Sequence, residues 1–503
     1  MTPRIQSILG IALVGALVLI ASTAAQAADP SAALGAGKPN IVFIMADDLG
    51  NADLGYRGSD IATPNIDKLA AEGVRLESFY GMPLCTPSRA ALMTGRYPMR
   101  HGLQTLVIFP SHTYGLPTDE RTLPQALKAA GYQTYMVGKW HLGHADKKYW
   151  PQNRGFDHFY GNLVGEVDYF TKDRGGLTDW QRNGSFIKEK GYFTTQIGNE
   201  AVKLIQQQDP SKPFFLYFAS LAPHAPYQAP QEYLDRYASI KDEKRRAYAA
   251  MITALDDQVG RIVGELDRKH LRDNTLIVFS SDNGGATSAL FATGARSEEE
   301  RGGSGGVALG AKPPASNGAL RGGKGSLHEG GVRVATIFHW PGRLTPSIID
   351  EPVHMVDVMP TLLALAGGAG SPDHPFDGRN IWATLAEGKP SPHEDILINV
   401  EAIRGAIRKG DWKLVKIATL PGKTELFDLS KDPGEQNNVA AENPGIVQDL
   451  ESRLIAYAKQ QKFSEWLKAQ PHFLGAQGKT AFDPDFDIDD SGLPHEKPAL
   501  PKK

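Results

Sequence analysis

Asn40-Ile41-Val42-Phe43-Ile44-Met45-Ala46 stays apolar throughout after its first residue and runs straight into Asp47-Asp48. A strand with one wet face would alternate, so an unbroken run of this length reads as a strand buried on both faces. Three similar runs follow, at Thr134-Tyr135-Met136-Val137, Pro213-Phe214-Phe215-Leu216-Tyr217-Phe218 and Thr275-Leu276-Ile277-Val278-Phe279. Helical patterns lie between them, at Ile66 to Glu72, Leu123 to Ala130, Ile197 to Gln207 and Glu243 to Lys269. Strands alternating with helices predict an α/β fold, with a large, mostly parallel sheet sandwiched by helices.

The texture changes further on. Met355 to Ala366 reads as one more helix, ended by Gly367-Gly368. Beyond it, Ala406-Ile407-Arg408, Trp412-Lys413-Leu414-Val415 and Glu425-Leu426-Phe427-Asp428 are short strand-like pieces between Gly and Asp turns. Val447 to Gln460 is an amphipathic helix pattern. This divides the chain into a large domain over 38–375 and a smaller α+β domain over 376–470. A tail over 471–503, with five prolines and no periodicity, is expected to be extended or poorly ordered. Within the large domain, Gly284 to Gly331 is rich in Gly, Ala and Ser around a charged cluster from Arg296 to Arg301. Long loops of this kind are commonly functional, and this one is expected to form a mobile lid.

The N-terminus reads as an export signal over residues 1–27. Arg4 supplies the positive start, Ile8 to Ala21 is apolar, and Ala25-Gln26-Ala27 is a small-residue cleavage pattern. The apolar run is shorter than the ~20 residues of a membrane span, and no cysteine follows to carry lipid. The mature chain is therefore expected to be periplasmic or secreted, with no membrane anchor. Cys85 is the only cysteine in 503 residues, so no disulfide is possible within the chain and core size must supply stability. A net charge of −3, from 54 basic and 57 acidic residues, gives no footprint for a nucleic-acid partner.

Polar groups that could do chemistry follow the apolar runs. Asp47 and Asp48 end the first, and Asp282-Asn283 end the fourth. Ligands of open α/β sheets bind beyond the carboxyl ends of the strands. If these two strands are neighbours, three carboxylates and an amide oxygen gather at one edge, a hard-oxygen set suited to Ca²⁺ or Mg²⁺. Asp and Asn also favour turns for local reasons, so either pair alone carries little. In Gly138-Lys139-Trp140-His141, an extended backbone would put Lys139 and His141 on one face. His224 stands between Pro223 and Pro226, and Lys324 lies in the Gly-rich run Arg321-Gly322-Gly323-Lys324-Gly325. Cys85 precedes Pro87-Ser88, a good helix start, so it is expected just before a helix N-terminus, where exposed N–H groups stabilise an anion. Arg89 follows four residues on.

Cys85-Thr86-Pro87-Ser88-Arg89 resembles the Cys-x-Pro-x-Arg signature of type I sulfatases, and Ala90-Ala91-Leu92-Met93-Thr94-Gly95-Arg96-Tyr97 continues the likeness. It extends from Pro39 to about Asn438, where Leu426-Phe427-Asp428-Leu429 and Asp432-Pro433-Gly434-Glu435 are similar to a pattern in the family's C-terminal module. Within the family the chain looks most like the arylsulfatase B group. The resemblance implies an alkaline-phosphatase-like fold and hydrolysis of sulfate monoesters of aryl alcohols or sugars, including sulfated carbohydrates. It implies that a maturation enzyme converts Cys85 to formylglycine, whose hydrate is the nucleophile. It further implies one Ca²⁺ on Asp47, Asp48, Asp282 and Asn283, with the modified Cys85 facing it. Lys139, His224 and Lys324 would contact the sulfate or the leaving oxygen, and His141 and Arg89 the hydrate. A phosphatase or phosphonate hydrolase of the same superfamily is the main alternative. Its two-zinc form needs additional His and Asp ligands that find no place in the sequence. A non-catalytic carbohydrate-binding relative is a second alternative.

Overall fold

The computed structural model describes residues 37–174, 176–288 and 313–469, with two short strands, Phe486–Ile488 and Pro494–Glu496, further on. Ten strands form the main sheet. Its centre is five parallel strands in the order Thr275–Ser281, Asn40–Ala46, Phe214–Ala219, Gln133–Lys139 and His158–Asn162. The Asn40 strand is thus the direct neighbour of the Thr275 strand, with Ala46 opposite Ser281. Antiparallel strands extend the sheet beyond Thr275–Ser281 and beyond His158–Asn162.

The apolar run does what its composition dictates. All seven residues of Asn40–Ala46 are buried. Ile41, Phe43 and Met45 enter one apolar cluster, and Val42, Ile44 and Ala46 enter another. Burying each large apolar side chain contributes roughly 1.5–3 kcal/mol. The first cluster is closed by the helices Cys85–Thr94, Leu123–Ala129 and Val358–Ala366. The second is closed by Pro64–Glu72, Phe193–Gln207 and Glu243–Arg268. Helices therefore cover both faces, as the alternation predicts. The strands that periodicity does not reveal, such as Val74–Leu76 and His158–Asn162, are short or interrupted by glycine and polar residues.

The C-terminal part is a four-stranded antiparallel sheet, Ile396–Val400, Arg404–Lys409, Trp412–Ile417 and Lys423–Asp428. On one face Leu397, Ile407, Leu414 and Leu426 join the first large cluster, together with Leu450 and Leu454 of the helix Pro444–Ala458. On the other face Ile396, Ile398, Ala406, Val415 and Phe427 pack with Tyr80, Leu327 and Val332 of the larger part. The smaller sheet thus rests directly on the segment that carries Lys324.

The expected export signal over 1–27 lies outside the described residues, as does the 471–503 tail apart from the two short strands. The expected lid falls largely on 289–312, also outside them, including Arg296 to Arg301. Its far arm is fixed in place. Asn317 accepts hydrogen bonds from the backbone N–H of Asn51 (3.1 Å) and Gly285 (3.0 Å) and donates to the carbonyls of Gly285 and Gly322.

Candidate active site

The carboxyl ends of the Asn40 and Thr275 strands deliver Asp47, Asp48, Asp282 and Asn283 to one edge of the sheet, all buried. Asp48 takes a left-handed backbone (φ 62°), which turns the chain out of the strand, and its backbone N–H donates to Asp282 Oδ1 (3.3 Å). Asn283 Nδ2 donates to Asp48 Oδ1 (2.8 Å). Its own Oδ1 is buried without a hydrogen-bond partner, an orphaned acceptor of the kind a cation satisfies. Atoms of Asp47, Asp48, Cys85 and His224 lie within 4.8 Å of one another. Three carboxylates and a spare amide oxygen at this edge fit one hard divalent cation.

The helix Cys85–Thr94 enters this cluster end-on, and all ten of its residues are buried. The helix starts at Cys85 itself rather than after it, with Leu84 as the extended residue before it. Cys85 Sγ lies 3.6 Å from Asp47 Oδ1. Ser88 Oγ donates to the Asp282 carbonyl and accepts from Met82 N–H, tying the helix to the end of the Thr275 strand. One turn on, Arg89 donates to Asp282 Oδ2 from Nε (3.1 Å) and Nη2 (3.0 Å), to Asp47 Oδ2 (3.0 Å) and to the Lys139 carbonyl (2.8 Å). Its guanidinium therefore holds the carboxylates in place. Lys139 Nζ is ion-paired with Asp47, and Lys324 Nζ lies 2.8 Å from Asp48 Oδ2.

The expected extended run through His141 does not form. The strand ends at Lys139, and His141 adopts φ 58°. Its Nε2–H donates to the Ile108 carbonyl (3.1 Å), and its Nδ1 is buried without a partner. His224 donates from Nδ1 to the Ala225 carbonyl (2.5 Å), and its Nε2 lies 3.6 Å from Asp48 Oδ2. Every candidate site residue read from the sequence is thus buried in or beside one cluster. Sequence reading missed Glu166, whose carboxylate lies 3.9 Å from His224 Nδ1, and Tyr169, whose hydroxyl donates to the His224 carbonyl (2.9 Å). Both lie in an irregular stretch with no periodicity to mark them.

The electrostatics follow from this crowding. Burial pushes the Asp47 carboxyl up, but Lys139, His224 and Arg89 outweigh it and hold it below the ordinary carboxylate range. Asp48 is lowered against the same burial by Lys324 and His224. Burial lowers the His141 and His224 imidazoles, helped by Lys139 and Lys324 respectively. The Cys85 thiol is pushed far up, first by burial and then by Asp282 and Asp47. Burial first, and then the two carboxylates, favour the protonated form of an unmodified Cys85, against the stabilisation that the helix end offers an anion.

A family profile described as Sulfatase matches residues 39–369 of this chain. The chain belongs to the sulfatase family. A second profile, described as N-sulphoglucosamine sulphohydrolase, C-terminal, matches residues 323–460 of this sulfatase. Arylsulfatase J of Mus musculus is 38% identical over 481 residues, covering 84% of this chain and 76% of its own length. Arylsulfatase A of Homo sapiens is 33% identical, covering 84% of this chain and 88% of its own length. The solved structure of Ps i-CgsB in complex with k-i-k-neocarrahexaose superposes with TM-score 0.76 at 34% identity, over 88% of this chain and 98% of that one. The sulfatase is thus an enzyme of sulfate ester hydrolysis with the alkaline-phosphatase-like fold of its structural neighbours. Among the described residues, no helix is long and apolar enough to cross a membrane.

Proposed function

We propose that this sulfatase hydrolyses sulfate monoesters of carbohydrates or aryl alcohols by a formylglycine- and Ca²⁺-dependent route, with Cys85 as the modified residue. The observation that carries this reading is the convergence of Asp47, Asp48, Asp282 and Asn283 with Arg89, Lys139, His224 and Lys324 around the start of the Cys85 helix. Those four oxygen ligands would hold the cation, which supplies Lewis-acid polarisation of the sulfate. Formylglycine would supply a hydrated aldehyde as nucleophile in place of the buried thiol.

The chain's own residues do the rest. A sulfate monoester repels nucleophiles through its own charge, and preorganised cations lower that barrier most where charge develops. Lys139, paired with Asp47, and Lys324, paired with Asp48, bring ammonium groups to the cluster for sulfate oxygens. His224, with Nδ1–H committed to Ala225, turns Nε2 into the cluster beside Asp48, and in its protonated form it would give that Nε2 proton to the leaving oxygen. His141, with Nε2–H committed to Ile108, keeps Nδ1 free to accept a proton from the nucleophile. Arg89 holds Asp47 and Asp282 in register. The carbohydrate ligand of Ps i-CgsB favours a sulfated sugar as substrate. The N-terminal export pattern supports a periplasmic or secreted activity, and formylglycine at Cys85 would need a maturation enzyme.

The test is a panel of aryl and sugar sulfates assayed before and after exhaustive chelation. Loss of turnover on chelation, restored by Ca²⁺ and not by Zn²⁺, is the expected result. Full activity in the chelated protein overturns the cation assignment.

A further inference from the structure

We propose that Arg404 of the C-terminal sheet is a positioning residue for sulfate ester hydrolysis, acting through the Gly325 peptide on Lys324. The proposal rests on the reading of Lys324 as a sulfate contact. Lys324 sits among Gly322, Gly323 and Gly325, with Gly322 and Gly325 at φ 77° and 84°. Glycine gives such a loop the conformations it needs, but it also leaves the loop with the most freedom to lose. Something outside the loop has to fix the lysine.

The Gly325 peptide is where that happens. Its N–H donates to the Pro83 carbonyl (2.7 Å), two residues before Cys85. Its carbonyl accepts from Arg404 Nη1 (2.8 Å). Arg404 is itself fixed, donating from Nε (3.1 Å) and Nη2 (2.8 Å) to Glu401 Oε1, which also accepts from Asn399 Nδ2 (2.8 Å). The ends of the same loop are gripped by one carboxylate of that sheet. Arg321 donates to Glu425 Oε1 (3.1 Å), and His328 Nε2 to Glu425 Oε2 (3.1 Å). Leu327 packs into the apolar cluster of the sheet's inner face. The sheet thus holds both ends of the loop, and Arg404 is its grip on the residue that follows the lysine, beside the bonds that Pro83 and Gly285 make to the Gly325 and Lys324 N–H groups. Its other hydrogen bonds stay within its own sheet, so its contribution runs through the loop.

The test is a double-mutant cycle on the full-length, matured enzyme, with kcat and KM for 4-nitrophenyl sulfate and a melting temperature for each variant. Arg404→Met is expected to lower kcat/KM about tenfold, the scale of a small misplacement at a reacting centre. Arg404→Lys, which can still donate to the Gly325 carbonyl, is expected to recover most of the loss. In a Lys324→Ala background, Arg404→Met is expected to cost less than about twofold, because residues acting through one another are not additive. If Lys324→Ala turns over too slowly, the same cycle is read from calorimetric affinity for inorganic sulfate. A tenfold loss that persists without Lys324, or no loss in the single variant, overturns the proposal. If Lys324→Ala keeps full kcat/KM, the reading of Lys324 itself fails, and the proposal fails with it by a separate result.

Discussion

Two clusters of buried charge among the described residues make an instructive pair, one between the two sheets and one at the sheet edge. Between the two sheets, Lys413 Nζ bonds Glu329 Oε1 (2.8 Å) and pairs with Glu435 Oε1 (2.9 Å), while Glu329 Oε2 accepts from Tyr80 (2.9 Å) and Glu435 Oε2 from the Glu329 N–H (2.6 Å). Arg408 completes it through Tyr80 (2.5 Å). At the sheet edge, Asp47, Asp48 and Asp282 face Arg89, Lys139 and Lys324 just as closely. The edge cluster differs in what it adds, a cysteine at a helix start and two orphaned acceptors, Asn283 Oδ1 and His141 Nδ1. Buried ion pairs alone are weak evidence of function. What separates the edge cluster is the convergence of four oxygen ligands with a cysteine at a helix start.

The contrast can be broken by substitution. Cys85→Ser is expected to fold with an unchanged melting temperature, to bind sulfate esters, and to lose turnover by at least about a thousandfold. Lys413→Met is expected to do the reverse. Leaving two buried carboxylates unpaired costs about 3–5 kcal/mol of unfolding free energy in denaturant titration, while the folded fraction keeps its KM. If Lys413→Met abolished activity without a stability loss, the division between the clusters would collapse. Asn283→Leu removes the orphaned oxygen, and calorimetry should then show Ca²⁺ affinity weakened by at least about tenfold.

An effect confined to acid pH comes from outside both clusters. His101 and His354 are buried, and burial pushes each imidazole down to about 3. A lowered folded-state value means that protonation favours the unfolded chain. Stability is therefore fully present above the ordinary imidazole value near 6.5 and is lost as pH falls toward 3, at up to ~1.4 kcal/mol per pH unit for each group. His101→Gln should flatten the melting temperature against pH over that window. An unchanged slope would assign acid sensitivity to the clusters instead.

What the sequence made legible follows the same division. Asp47, Asp48, Asp282 and Asn283 stand out because each pair follows an apolar run, and buried parallel strands must end at a common edge. Cys85, Arg89, Lys139, His224 and Lys324 stand out through spacing and family signature. Glu166, Tyr169, Glu401 and Arg404 do not, because their contacts join segments far apart in the chain through loops or a small antiparallel sheet. The thiol's burial next to Asp282 was equally hidden, being a property of packing rather than of neighbours in sequence.

The central claim is that Cys85 works as something other than a thiol. Peptide mass spectrometry across Leu84-Cys85-Thr86-Pro87-Ser88-Arg89, on protein purified from the organism that makes it, tests this most directly. The account predicts a peptide in which the Cys85 CH₂–SH is replaced by an aldehyde and which reacts with a hydrazine probe. Active protein that yields only the intact thiol at Cys85 would contradict it.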